Sequence, residues 1–165
     1  MAGILHPTVF VDTVFDIDLK ALKDSGIKAF IFDIDNTLAP YADAVPDEKT
    51  AAWIKELRDM GFGVFFASNN NVERVKKFAD SVGIPYKAKA LKPLSIYLKK
   101  ACSCMGVTPK ETALVGDQLF TDIWGGNWLK MYTILVKPIS EVEDGFVKFK
   151  RKFERRILKS MGRQV

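Results

Sequence analysis

The sequence predicts an α/β domain built on a doubly wound, mainly parallel, Rossmann-like sheet. Three observations carry that expectation. Short apolar runs alternate with amphipathic segments along most of the chain, the rhythm of strand–helix–strand crossovers. The run Ile27 to Phe32 is almost unbroken in its hydrophobicity, as strands buried on both faces of a parallel sheet are. Reactive polar residues recur where such runs end, and in an open α/β sheet the carboxyl ends of the strands border one crevice.

Each element follows in order. Ile27 to Phe32 is the first strand. Pro46-Asp47 opens a helix through Met60, with Trp53, Ile54 and Leu57 on its inward face and Gly61 as its stop. Gly63 to Ala67 is the second strand, Val72 to Val82 a helix ended by Gly83, and Tyr86 to Ala88 a short third strand. Pro93 to Met105 is helical, with Leu94, Tyr97, Leu98 and Ala101 spaced for one face, and Gly106 closes it. Thr112 to Val115 and Tyr132 to Val136 are the fourth and fifth strands, with a helix from Phe120 to Leu129 between them. The expected organisation is a lead-in over 1–26, one domain over 27–140, and a basic amphipathic helix over 141–165.

Composition narrows the function. With 165 residues, 48% of them hydrophobic, the chain can bury one substantial core. No apolar stretch approaches the ~18 residues that span a bilayer, and the acidic N-terminal region (Asp12, Asp16, Asp18) does not read as a secretory signal, so a cytoplasmic chain is expected. Cys102 and Cys104 are too close and too isolated for a disulfide framework, and are expected as buried or half-buried thiols. His6 is the only histidine, which removes most support from histidine-based triads, zinc sites and general bases. If the chain is a catalyst, carboxylates run it.

The carboxylates are placed for such work. Asp33 and Asp35 follow the first strand, and residues i and i+2 of an extended chain point to the same side; Asp35-Asn36 also suits the start of a turn. Ser68-Asn69 follows the second strand, Lys92-Pro93 precedes the third helix, and Gly116-Asp117 follows the fourth strand, with Asp122 beyond. Phosphoryl transfer asks for these types: an aspartate nucleophile (Asp33), a second carboxylate to give and take the proton (Asp35), and a cation against anion–anion repulsion. Magnesium prefers oxygen ligands; Asp117 supplies a third carboxylate, and Asp122 is placed to hold the metal's waters. Ser68 and Asn69 sit where a helix entry attracts phosphate oxygens, and Lys92 brings positive charge to the transferred group. Taken singly, Ser68 also reads as a helix cap and Lys92 as a surface lysine.

In this order the motifs Asp33-Ile34-Asp35-Asn36-Thr37-Leu38, Ser68-Asn69, Lys92-Pro93 and Gly116-Asp117-Gln118-Leu119-Phe120-Thr121-Asp122 resemble those of the haloacid dehalogenase superfamily phosphatases. The later Gly125-Gly126-Asn127 and the lead-in around Asp16-Ile17-Asp18 and Leu22 to Gly26 resemble its class IIIA, YqeG-type branch, related to phosphatidylglycerophosphate phosphatases. The resemblance implies Asp33 as nucleophile, Asp35 as acid and base, and magnesium held by Asp33, the Asp35 backbone carbonyl and Asp117.

Two features bear on the substrate. Only 32 residues separate Asp35 from Ser68 and 23 separate Ser68 from Lys92, which leaves no room for the inserted cap domain that superfamily members often carry. An open site suits a large or surface-held ester, unless a second subunit supplies the lid. Phe146 to Val165 carries eight basic residues against Glu154, a net 8 − 1 = +7, so the first 145 residues carry 5 − 7 = −2. Val142, Phe146, Phe149, Phe153, Ile157 and Met161 form a stripe along that segment. The stripe fits an anionic membrane at the inner face and equally fits packing on the domain; nucleic acid is disfavoured, because no aromatic platform interleaves the charges. A soluble phosphatase for a small ester and a binding adaptor that uses the tail are the competing functions.

Overall fold

The structure is a computed structural model that describes residues 3–140 and 145–162. Its centre is a six-stranded sheet, parallel throughout: β1 (Val9–Val11), β2 (Ala29–Phe32), β3 (Gly63–Ala67), β4 (Tyr86–Lys87), β5 (Thr112–Gly116) and β6 (Tyr132–Val136), in the order β1-β6-β5-β2-β3-β4. The helices are α1 (Leu19–Asp24), α2 (Glu48–Asp59), α3 (Val72–Val82), α4 (Ile96–Cys104), α5 (Trp124–Trp128) and α6 (Gly145–Ser160). Strand order reverses between β2 and β5, which opens the ligand-binding crevice of such sheets at their carboxyl ends.

Every residue of β2 and β5 is buried, because helices cover both faces. Phe30 and Phe32 alternate with Ile31. The two phenylalanines stack at 5.5 Å and join Trp53, Leu57, Phe66, Val75 and Phe78 under α2 and α3. Ile31 joins Phe65, Leu98, Ala101, Leu114 and Met131 on the opposite face, under α4. The expected inward face of α2 is buried as predicted, and Asp47 caps that helix at the Thr50 N–H (2.7 Å). The two helix entries beside the crevice differ. Asn71 caps α3 through the Arg74 N–H, whereas the Phe120 region is a π-helical turn, Leu119–Ile123, that only then becomes the short α5. The segments between the sequence motifs hold no cap domain.

The structure adds detail to the sequence reading at both ends. The lead-in contributes β1, which pairs with β6 in the register Val9↔Ile134; Thr8 N–H donates to Thr133 Oγ1 at 3.0 Å. At the other end, α6 packs on the domain: Leu158 is buried with Leu119, Ile123 and Leu135, and Ile157, Met161 and Phe10 pack against them. The buried face therefore runs through Glu154, Ile157, Leu158 and Met161. Phe153, placed on the apolar stripe by its spacing, is instead exposed, and Val142 lies outside the described residues. Cys102 is buried, but Cys104 at the end of α4 is exposed rather than half-buried. No helix among the described residues is long and apolar enough to cross a membrane.

Candidate active site

The crevice between β2 and β5 gathers three aspartates around one lysine. The ladder continues one residue past β2, where the Asp33 N–H donates to the Val115 carbonyl (2.9 Å), and this fixes Asp33 beside the end of β5. Lys92, buried like its partners, reaches across so that Nζ donates to Asp33 Oδ1 at 2.8 Å and to Asp122 Oδ1 at 2.6 Å. Asp117, also buried, accepts from Thr37 Oγ1 at 3.4 Å. Carboxylate oxygens of Asp33, Asp117 and Asp122 all lie within 4.8 Å of one another.

Asp122 is the residue whose part the sequence understated. It is fully buried, its Oδ2 accepts the Gln118 N–H at 3.1 Å, and its carboxylate lies flat against the end of β5. A Cβ at position 116 would come within 2.2 Å of Asp122 Cγ, a separation no packed atoms tolerate. Gly116 is therefore required by the carboxylate beside it.

Electrostatics follow from three buried acids and one buried base. Burial pushes the Asp33 carboxyl well above the usual carboxylate range; Lys92 pulls it back, while Asp122 and Asp117 push it up again. Burial alone would lower Lys92, but Asp122 and Asp33 more than reverse this, so the ammonium is held charged above its ordinary value. An ammonium has three N–H donors; two are spent on Asp33 and Asp122, which leaves one for a phosphoryl oxygen. The cluster keeps a surplus of negative charge and offers only oxygen ligands, the donor set of magnesium. Oxygens on one octahedral cation at about 2.1 Å stand roughly 3–4 Å apart, within the spread these carboxylates show.

Around this cluster the other expected residues divide. Ser68 is buried, and its Oγ accepts the Asn70 N–H at 3.1 Å; as an acceptor there, the hydroxyl keeps its own proton to donate. Asn69 was expected at the phosphate, yet both ends of its amide clamp the Lys92 backbone, Oδ1 accepting its N–H (2.8 Å) and Nδ2 donating to its carbonyl (3.0 Å). Asp35 lies beyond the end of β2, in an isolated bridge to Ala39. Its carboxylate turns to α3, where Arg74 donates through Nε (3.1 Å) and Nη2 (2.9 Å) to Oδ1, and Asn70 Nδ2 donates to Oδ2 at 2.9 Å. The turn is made by Asn36, at φ 60°, whose N–H donates to the Ala39 carbonyl; the turn reading of Asp35-Asn36 is seen directly.

Arg74 and Asn70 were missed in the sequence. One signal was present: Arg74 lies in the first turn of α3, where the helix dipole disfavours a cation, so an arginine there calls for an anionic partner. Beside Thr37 a cavity of about 550 Å³ opens, lined by Thr13, Phe15, Leu38, Thr50 and Ile139 among others, adjacent to the carboxylate cluster through the Thr37–Asp117 bond.

Three buried acids around one buried lysine, at the switch point of a parallel sheet, suit chemistry on an anionic phosphoryl group. Proteins of similar sequence and fold belong to that class. The haloacid dehalogenase-like hydrolase family model matches residues 41–129, which begins just after the Asp33–Asp35 loop. The chain is 38% identical to the probable phosphatase YqeG of Bacillus subtilis over 96% of this chain and 92% of that protein. It is 32% identical to the chloroplastic/mitochondrial phosphatidylglycerophosphate phosphatase 1 of Arabidopsis thaliana, over 86% of this chain but 43% of that protein. The cobalt-bound deoxy-D-mannose-octulosonate 8-phosphate phosphatase of Haemophilus influenzae shares the fold, with a TM-score of 0.56 at 20% identity over 83% of this chain and 90% of that one. The chain belongs to the haloacid dehalogenase-like hydrolase family and stands among its phosphatases.

Proposed function

We propose that this enzyme is a magnesium-dependent phosphomonoesterase that works through an aspartyl-phosphate on Asp33, with phosphatidylglycerophosphate at a membrane surface as its substrate. The observation that carries the mechanism is the buried bridge Asp33–Lys92–Asp122 beside Asp117. Asp33, Asp117 and Asp122 would hold the cation, which supplies charge neutralisation between nucleophile and phosphate and polarises the phosphoryl oxygens.

The chain's own groups do the rest. A carboxylate oxygen of Asp33 attacks phosphorus; the new O–P bond forms as the ester O–P bond breaks, and the departing oxygen takes a proton from Asp35. Water then attacks the aspartyl-phosphate, gives its proton to Asp35, and releases inorganic phosphate with Asp33 restored. Lys92 offers its remaining N–H, and Ser68 its hydroxyl, to the equatorial oxygens as charge spreads over them. Arg74 and Asn70 orient the Asp35 carboxylate.

Two observations support the lipid substrate: the uncapped crevice, and the likeness to the Arabidopsis protein that bears that substrate's name. The test is phosphate release with magnesium from phosphatidylglycerophosphate in detergent micelles, beside a panel of soluble esters, with Asp33→Asn as control. Turnover of the lipid that vanishes in the variant upholds the reading. Turnover confined to soluble esters assigns the enzyme to small-molecule phosphates, and activity retained by Asp33→Asn removes Asp33 as nucleophile.

A further inference from the structure

Lys92 is buried, but the residues that bracket it are not: Leu91, Leu94 and Ile96 are each more than half exposed. They are held outward by a rigid frame. Lys89 and Leu91 both adopt positive φ (47° and 55°), a conformation that costs a non-glycine residue about 1–2 kcal/mol. The segment is tied down by Lys89 N–H to the Asn70 carbonyl (3.0 Å), Ala90 N–H to the Ser68 carbonyl (3.0 Å), and the Asn69 clamp on Lys92.

A second element completes the patch. α5 rests on the same segment at Gly125, where a Cβ would lie 3.3 Å from both the Pro93 carbonyl oxygen and Leu98 Cδ1. Trp124 and Trp128, one turn apart on α5, are 40% and 67% exposed. Five large apolar side chains, two of them tryptophans, therefore stand out of the surface on either side of the strand-end segment that delivers the catalytic lysine.

Charge says what covers them. From Ile84 to Lys110 the chain has six lysines and no acid. The site consumes Lys92, which leaves Lys87, Lys89, Lys99 and Lys100 near the exposed residues, while Lys110 lies at the amino end of β5, away from the crevice. Lys87 and Lys100 lie over the Tyr97 ring, at 4.2 and 5.5 Å. A second copy of the chain meeting this face across a two-fold axis would set lysines against lysines. A nucleic acid would leave the leucines and isoleucine without a partner.

We propose that this rim is the seat of an anionic phospholipid bilayer: Leu91, Leu94, Ile96, Trp124 and Trp128 enter the headgroup boundary, and Lys87, Lys89, Lys99 and Lys100 meet the lipid phosphates. Tryptophan favours that boundary layer, and each lysine near an anionic surface contributes about 1 kcal/mol. Seated so, the crevice opens onto the headgroups and its ester need not leave the bilayer. The proposal rests on the reading that the substrate is a phospholipid, and it places the membrane contact on the rim rather than on α6.

The chain's own tryptophans report the contact, since Trp53 is buried in the core and Trp124 and Trp128 are exposed. Adding phosphatidylglycerol-containing vesicles to the full chain should shift the emission to the blue, with quenching by brominated acyl chains; phosphatidylcholine vesicles should not. Lys99→Glu/Lys100→Glu and Leu94→Ser should each weaken vesicle affinity at least about ten-fold, with soluble-ester turnover unchanged. The matching reversal on α6, Arg155→Glu/Arg156→Glu, should leave the shift in place. Absence of a shift, an equal shift with phosphatidylcholine, loss of the shift on the α6 reversal alone, burial of the tryptophans by self-association, or RNA in place of vesicles as the ligand each overturns the proposal. Turnover of phosphatidylglycerophosphate in detergent tests the substrate reading separately: lipid hydrolysis without vesicle binding refutes only the rim, and rim-dependent binding without lipid hydrolysis refutes only the substrate.

Discussion

Replacing Lys92 by methionine keeps most of the stem's volume and removes the ammonium. In the folded chain that ammonium is the shared partner of Asp33 (2.8 Å) and Asp122 (2.6 Å), with all three side chains almost wholly shielded from solvent. Breaking a buried ion pair from one side costs about 3–5 kcal/mol, because the remaining charge stays uncompensated. Here Asp33 has an escape. Burial and its two acidic neighbours already favour its protonated form, so proton uptake offsets part of the loss, and we expect the low end, about 3 kcal/mol, without added metal. A divalent cation bound only by the folded state restores about 2.7 kcal/mol at a hundred-fold excess over its dissociation constant, so magnesium should recover most of the stability of Lys92→Met.

Magnesium should not recover the chemistry. On the proposed mechanism the third N–H of Lys92 is the donor offered to the phosphoryl group, and loss of one such preorganised donor costs about 10²–10³ in kcat. Urea denaturation with and without magnesium measures the first effect, and steady-state turnover of a soluble ester at saturating magnesium measures the second. A variant as stable as the parent without metal, or one that keeps more than about a tenth of kcat, refutes the assignment of Lys92 as both the counterion of the cluster and a donor to the reaction.

Three further outcomes are expected. Arg74→Ala should lower kcat about 10²-fold, at the low end of what a positioned acid–base contributes, with KM little changed; Arg74→Lys should rescue only part, since lysine cannot reproduce the two-nitrogen contact, and an unchanged pH–rate profile in Arg74→Ala would dismiss the positioning role. Because the Asp33 carboxyl is raised, the unfolded chain releases this proton near 3.8 while the folded chain still holds it; without metal, Asp33 should therefore make stability fall as pH rises through that window and level off above the folded value, a slope that urea titrations should find missing in Asp33→Asn. Glu154→Ala should cost about 1–3 kcal/mol, the loss of a buried charged acceptor from the Phe120 N–H, and should expose α6 to limited proteolysis; equal protection in the variant would show that Leu158 alone holds the helix.

What the sequence made legible was what local pattern determines. Phe30–Phe32, Val64–Ala67 and Ala113–Val115 are apolar without interruption, and only a strand covered on both faces needs that. Asp33, Ser68 and Asp117 were legible because each follows such a run, and Lys92 because it stands at a helix entry in the same order. β1 was not, for a physical reason: three half-buried residues have too short a period to read, and the strand owes its place to pairing with β6 and to Thr8 meeting Thr133 125 positions away. The partners of Asp35 and Asn69 were hidden for a related reason. Their type and position pointed to the crevice, but the Asp35 carboxylate is held by Arg74 and Asn70, and Asn69 is consumed by the Lys92 backbone; both depend on elements brought in from elsewhere along the chain.

The C-terminal segment shows how one residue redirects the meaning of a charge run. A net +7 with a spaced apolar stripe reads from sequence as a membrane-seeking helix or as a docked one. The single acid in it decides: Glu154 is buried and accepts the Phe120 N–H, at the turn that carries Asp122 into the site. A carboxylate buried there with a backbone donor fixes the rotation of α6, which places Leu158 against Leu119, Ile123 and Leu135 and leaves Phe153 outside. The apolar face that a bilayer would take is thus partly occupied by the domain itself. Among the large apolar groups that the domain leaves uncovered are Leu91, Leu94 and Ile96 around Lys92, in the acid-free stretch of lysines, and Trp124 and Trp128 on α5. On the proposed reading, a substrate held in a membrane is met by the mouth of the site rather than by the tail, and the bond from the Phe120 N–H to Glu154 makes α6 a support for the turn that carries Asp122.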